Sequence, residues 1–138
     1  MKIGIIGAGN MGGAIARGLA ADPDFCTADI TVCSPNNHGE LDALKADYPD
    51  MNVDTDNEKA ILGTDIIILA VKPWLVYDVM DPLSSKIQWE NQMLVSVAAG
   101  ITLSQLEDLS LCTPPAVFRV MPNTAIACLL YTSPSPRD

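Results

Sequence analysis

The chain has 138 residues, 49% of them hydrophobic and 18% charged, which suits one folded domain with its own core and not a disordered chain. Eight Lys and Arg stand against 17 Asp and Glu, a net charge of −9, and no basic cluster follows a phosphate backbone, so nucleic acid is excluded as the expected partner. No apolar run approaches the ~18–20 residues of a membrane span, and glycines at Gly4 and Gly7 break the N-terminus too early for a signal-peptide core.

The first apolar run, Lys2–Ile6, predicts a strand, and Asn10–Ala21 behind it a helix. Ile30–Cys33 predicts the second strand, Glu40–Asp47 a helix, and Met51–Val53 a weak strand. A short helix over Asn57–Leu62 follows, with Asp56 as its cap and Gly63 as its stop. Asp65–Val71 is the next strand, Leu75–Lys86 a helix and Met93–Ala98 a strand. Thr102 and Gln105 form a capping box for a helix over Leu103–Leu109, and Ala116–Met121 is the last strand. These runs are near-continuous rather than alternating, as in strands buried on both faces. Their alternation with helices predicts an α/β fold, a doubly wound, mostly parallel sheet with helices on both faces. The segment from Cys128 to Asp138 is punctuated by Ser and Pro and stands outside the pattern.

Between the first strand and helix lies Gly7-Ala8-Gly9-Asn10-Met11-Gly12, a G-x-G-x-x-G in the strand–turn–helix context that gives it a mechanism. Gly7 permits the tight turn, Gly9 lets the backbone approach a pyrophosphate, and Gly12 lets helix and strand pack closely. Free N–H groups at the helix N-terminus then bind the phosphates. The competing reading is a glycine-rich turn with no ligand. The fold is thus expected to be of the Rossmann type, spanning residues 1–127, with 128–138 as a tail outside it. An NAD-preferring site carries Asp or Glu about 20 residues past the fingerprint; here that place is held by Ser34, then Pro35, Asn36 and Asn37. No carboxylate repels a 2′-phosphate, and Ser34 and the asparagines can donate to one. NADP, as NADPH, is therefore the expected cofactor, with NAD as the alternative. His38 just beyond reads as an exposed loop residue or as a contact to the adenosine end.

Ligands of open α/β sheets sit outside the carboxyl ends of the strands. There the sequence places Ala70-Val71-Lys72-Pro73, Ala98-Ala99-Gly100 and Met121-Pro122-Asn123-Thr124. Lys72 is either a strand-end lysine reaching solvent or a polar group at the pocket, and Asn123-Thr124 a helix cap, a ligand contact or both. The small Ala98–Gly100 run lets a flat ring lie against backbone. Arg119 inside a strand favours an internal salt bridge over catalysis. Four cysteines (Cys26, Cys33, Cys112, Cys128) include no C-x-x-C pair and accompany a single histidine, so no metal site is expected. Reduced, structural thiols and a cytoplasmic location follow.

Four motifs occur in order: I-G-A-G-N-M-G at Ile6–Gly12, A-V-K-P at Ala70–Pro73, V-S-V-A-A-G-I-T at Val95–Thr102 and R-V-M-P-N-T at Arg119–Thr124. Together they resemble pyrroline-5-carboxylate reductase over roughly residues 2–127. The resemblance implies reduction of 1-pyrroline-5-carboxylate to L-proline with NAD(P)H, in proline biosynthesis. It implies cofactor contacts from Ile6, Gly7, Ala8, Gly9, Asn10, Met11 and Gly12, from Ser34, Asn36 and Asn57, from Ala70, Val71, Lys72 and Pro73, and from Ala98, Ala99 and Gly100. Asn123 and Thr124 would lie near the substrate, with Lys72 as a further candidate there. A protonated imine already accepts hydride, so catalysis is placement and needs no nucleophile or metal.

Two departures from the family pattern stand out. Ala125 replaces the last proline of M-P-N-T-P, and Leu129–Asp138 stands where members continue into a C-terminal helical domain that forms the dimer and much of the substrate pocket. The expectation is a cofactor-binding portion, inactive alone, with a tail from read-through; the full-length protein would be a homo-oligomer. Two alternatives remain: another NADP-dependent reductase with the same fingerprint, disfavoured by V-A-A-G with M-P-N-T, and a stand-alone NAD(P)-binding regulatory or interaction module.

Overall fold

The computed structural model describes residues 1–88, 90–97 and 117–119. Its strands are β1 (Ile3–Ile6), β2 (Ile30–Cys33), β3 (Asn52–Asp54), β4 (Ile66–Leu69), β5 (Met93–Ser96) and β6 (Val117–Arg119). Its helices are α1 (Asn10–Ala21), α2 (His38–Asp47) and α3 (Val76–Ser84), with 3-10 turns at Thr27–Asp29, Asn57–Ala60 and Pro73–Leu75. The strands form one sheet in the order β3-β2-β1-β4-β5-β6, and every pairing is parallel. This is the doubly wound order of the Rossmann fold, as the alternating pattern predicts.

The register explains why the strands read as unbroken apolar runs. Ile3 and Ile5 pair with Ile30 and Val32 on one side and with Ile66 and Ile68 on the other. These side chains share one face, covered by Ile15, Ala16 and Leu19 of α1 and Leu41 and Leu44 of α2. The alternate residues, Ile6, Cys33, Ile67, Leu69 and Leu94, face Val76, Met80 and Leu83 of α3. With both faces of the central strands covered, β1 and β4 carry only apolar side chains or glycine. Arg17 of α1 ties the first layer together by bridging Glu40 and Asp47 of α2.

The structure departs from the sequence expectations in the links. The segment after β3 is a 3-10 turn, not the expected helix over Asn57–Leu62. A Cβ on Gly4 would fall 1.7 Å from the Ala60 carbonyl oxygen, so this link lies directly on β1, far closer than a helix with side chains stands from a sheet. Asp56 still caps it, its Oδ1 accepting from the Glu58 N–H at 3.0 Å, and Gly63 follows at φ +71°, a left-handed value suited to glycine. α2 begins at His38, which therefore opens a helix as an exposed residue rather than sitting in a loop. α3 starts after the Pro73–Leu75 turn and ends at Ser84, two residues past the internal Pro82, whose ring cannot donate to the helix. β6 lies within the expected Ala116–Met121 strand; the expected helix over Leu103–Leu109, its Thr102 cap and the Arg119 side-chain contacts lie outside the described residues.

Cys33 is fully buried, and burial, reinforced by Asp54 and Asp56, pushes its thiol from 9.0 up to about 12. An unfolded chain releases this proton near its ordinary value, whereas the folded one holds it to the higher pH, so the folded state loses stability as pH rises through that window. Denaturation of the wild type should lose about 1.4 kcal/mol per pH unit more than Cys33→Ala above pH ~9. Equal slopes in the two proteins would contradict the assignment.

Candidate functional site

β1 and β4 are neighbours, yet the chain leaves β1 towards β2 and leaves β4 towards β5. The loops at their carboxyl ends therefore diverge, and a cleft opens between them at the switch point of the sheet. The structure has such a cleft, about 420 Å³, lined on one side by Gly7, Gly9, Asn10 and Met11 and on the other by Ala70, Val71, Lys72 and Pro73. Ser34, Pro35, Asn36, Asn37 and Asn57 close the end beyond β2 and β3. Leu75, Val79 and Val97 form an apolar wall at the opposite end.

The three fingerprint glycines differ in what requires them. Gly7 adopts φ +109°, and a Cβ there would fall 2.5 Å from the Ala70 oxygen; its N–H donates to the Cys33 carbonyl at 2.8 Å. A Cβ on Gly12 would fall 1.8 Å from the Gly7 oxygen. Both are demanded by the chain's own packing. A Cβ on Gly9 would meet no atom within 4 Å, so nothing in the protein itself excludes a side chain there. Gly9 also caps α1 without any side-chain hydrogen bond, and the first turn of that helix carries no acid. Its free N–H groups and the positive end of the helix dipole give the cleft an anion-attracting floor.

Electrostatics within the cleft agree. Among the described residues, Lys72 is the one charged side chain lining it, and no carboxylate does. Pro73 follows Lys72 in a 3-10 turn, which fixes the direction in which the chain leaves the site. Asn57 Oδ1 is the one buried side-chain polar atom, among the described residues, that meets no hydrogen-bond partner. An orphaned acceptor of this kind calls for a donor from outside the chain. The described residues hold no group of His, Cys, Asp and Glu that could bind a metal.

Most sequence candidates come together here: Gly7, Gly9, Asn10, Met11, Ser34, Asn36, Asn57 and Ala70 to Pro73. Ile6 and Ala8 are fully buried, and with Gly12 they support the cleft from beneath instead of lining it. His38 does not line it. Ala98, Ala99, Gly100, Asn123 and Thr124 lie outside the described residues. Sequence reasoning missed Leu75, Val79 and Val97; Leu75 caps α3 and Val79 lies four residues on within it, a spacing that reads as ordinary core packing.

Fold and cleft define a doubly wound α/β domain of the Rossmann class, with an anion-attracting switch-point groove. The family of coenzyme F420-dependent NADP oxidoreductases matches residues 2–100, and the chain belongs to it. A pyrroline-5-carboxylate reductase of Vibrio alginolyticus is 40% identical over 123 residues, 89% of this chain and 43% of that protein. One from Methanosarcina acetivorans is 38% identical over 130 residues, 90% of this chain and 44% of its own length. Among solved structures, a pyrroline-5-carboxylate reductase of Coxiella burnetii superimposes with a TM-score of 0.82 at 29% identity, over 92% of this chain and 46% of that one. The pyrroline carboxylate reductase of Plasmodium falciparum, solved with NADP bound, gives 0.75 at 25% identity, over 93% and 44%. The expected likeness to this reductase is borne out, and the chain spans less than half the length of these relatives. No helix among the described residues is long and apolar enough to cross a membrane.

Gly9 and Gly12 give a paired test. Gly12→Ala should cost roughly 3 kcal/mol or more, because backbone must move. Gly9→Ala should cost no more than about 1 kcal/mol, the difference between the two residues at a helix cap, while weakening dinucleotide binding at least tenfold. Urea denaturation and ligand titration of both variants check this; equal stability losses would refute the division.

Proposed function

We propose that the cleft binds NADP(H), and that the chain is the cofactor-binding portion of an enzyme reducing 1-pyrroline-5-carboxylate to L-proline. The observation that carries the reading is the cleft itself, whose Gly9 wall is kept open for no reason internal to the protein. The pyrophosphate lies over Gly9 and the start of α1, and the adenosine ribose towards Ser34, Asn36 and Asn57. The nicotinamide lies along Ala70–Pro73 and the apolar wall of Leu75 and Val97, and the resemblance adds Ala98, Ala99 and Gly100 as further cofactor contacts. When bound, the cofactor supplies a hydride to the imine carbon. The protein's share is to hold the nicotinamide face and exclude water around it. Asn123 and Thr124, with Lys72, stand as the groups near the substrate.

Ser34 supports NADPH over NADH, since it holds the place of the carboxylate that would repel a 2′-phosphate. The relatives' names favour proline formation over the F420 chemistry in the family's description, as do V-A-A-G at Val97–Gly100 and M-P-N-T at Met121–Thr124. Residues 1–127 form the cofactor domain and 128–138 a tail outside it. Trp74 and Tyr77, 73% and 43% exposed beside the cleft, form an apolar surface suited to a further protein contact. That supports a homo-oligomeric enzyme against a stand-alone module.

Fluorescence titration of the 138-residue chain should show NADPH binding, tighter than NADH, with negligible proline formation from 1-pyrroline-5-carboxylate. Ser34→Asp should weaken NADPH about 10–100-fold by placing a charge against the 2′-phosphate, and leave NADH within a few-fold. Absence of NADPH binding would defeat the functional reading; tighter NADH binding by the wild type would defeat the preference.

A further inference from the structure

The link between β3 and β4 carries Asn57 at its start and has little regular structure to hold it, only the 3-10 turn Asn57–Ala60. Its far end is gripped from outside. Gln92, just before β5, is 6% exposed. Its Nε2 donates to the carbonyls of Ile61 at 2.6 Å and Thr64 at 2.7 Å and lies 3.2 Å from Thr64 Oγ1. Its Oε1 accepts the Gln88 N–H at 2.9 Å. Two carbonyls on one side and an N–H on the other permit one orientation of the amide and no flip. Thr64 Oγ1 in turn donates to the Ala60 oxygen at 2.8 Å, the same oxygen that rests on Gly4. A chain of hydrogen bonds thus runs from Gln92 through Thr64 to Ala60, three residues from Asn57.

We propose that Gln92, at the amino-terminal edge of the sheet and away from the cleft, is a positioning residue for the adenosine end of the cofactor, acting through the link that presents Asn57. The inference rests on the NADP(H) reading above. Only a neutral amide serves here: the two inward carbonyls need two donors from one group, and the Gln88 N–H needs an acceptor on the same group. Leu in its place fills the space but leaves those groups buried and unsatisfied, and the link shifts to find water.

The probes are 2′,5′-ADP, which carries the adenosine end alone, and reduced nicotinamide mononucleotide, which carries the other, titrated by NMR into the 138-residue chain. Gln92→Leu should weaken 2′,5′-ADP about tenfold and the mononucleotide less than twofold. Thr64→Val should do the same to a smaller degree. On an Asn57→Ala background, Gln92→Leu should weaken 2′,5′-ADP by less than a further twofold, because the group it positions is gone. Equal losses for both probes, or the full tenfold loss on that background, overturn the proposal and leave Gln92 a purely structural clamp. Should Gln92→Leu fail to fold, the side-chain amide signals of Gln92 in the wild type decide: they should shift with 2′,5′-ADP and not with the mononucleotide, and unmoved signals overturn the proposal. A wild type that binds neither probe defeats the cofactor reading itself, a result distinct from these.

Discussion

The rest of the molecule is arranged around the backbone of β1 and the turn after it, which other backbone segments approach more closely than any side chain would allow. The Ala60 oxygen rests on Gly4, the Ala70 oxygen on Gly7, and the Gly7 oxygen on Gly12. The first contact seats the β3–β4 link on the sheet, the second sets β4 against the turn, and the third sets the start of α1 over it. These approaches bring Asn57, Ala70 and the α1 N-terminus to the rim of one cleft. Because each contact is backbone on backbone, no rotamer change could relieve an added Cβ; the chain itself would have to shift.

The second constraint is electrostatic. A protein of net charge −9 repels a polyanion at long range, so an anionic ligand must be drawn in locally. The chain does this by placement. Acidic residues are kept off the cleft lining, and two of them, Glu40 and Asp47, are engaged by Arg17 on the α1–α2 layer. Lys86 is likewise taken up by Glu58 at 2.8 Å. Lys72 and the unpaired N–H groups of α1 are left facing the cleft. Local field in the cleft, rather than overall charge, is what attracts an anion there, and a ~8 Å screening length at physiological salt lets the two coexist.

Legibility in the sequence follows the physics of each element. Strands buried on both faces announce themselves as apolar runs, and α1, with its fingerprint, coincides with the expected Asn10–Ala21. The 3-10 link reads as a helix because its residues favour one; the Gly4–Ala60 contact that forbids it joins positions far apart in the chain. The cleft's polar end is legible because Ser34 and Asn36 sit at a fixed distance from the glycines. Its apolar wall is not, since Leu75 and Val79 look like any core-facing pair. Gln92 gives no signal at all: a lone glutamine before a strand reads as surface until the carbonyls around it are known.

The three fingerprint glycines show where sequence and structure each contribute. As a motif they are equivalent letters, and a pattern match weighs them alike. In the structure, Gly7 and Gly12 are explained by the chain's own contacts, so their presence would be required of this fold even with no ligand. Gly9 is explained by nothing inside the protein. Its φ of −78° is open to any residue, and the space a methyl would take is empty. A small residue that the fold does not need, at the mouth of a helix whose first N–H groups are unpaired, is accounted for by something that must come close to the backbone from outside. An anionic group is what such a site attracts, and the open space at Gly9 leaves room for it to reach the backbone.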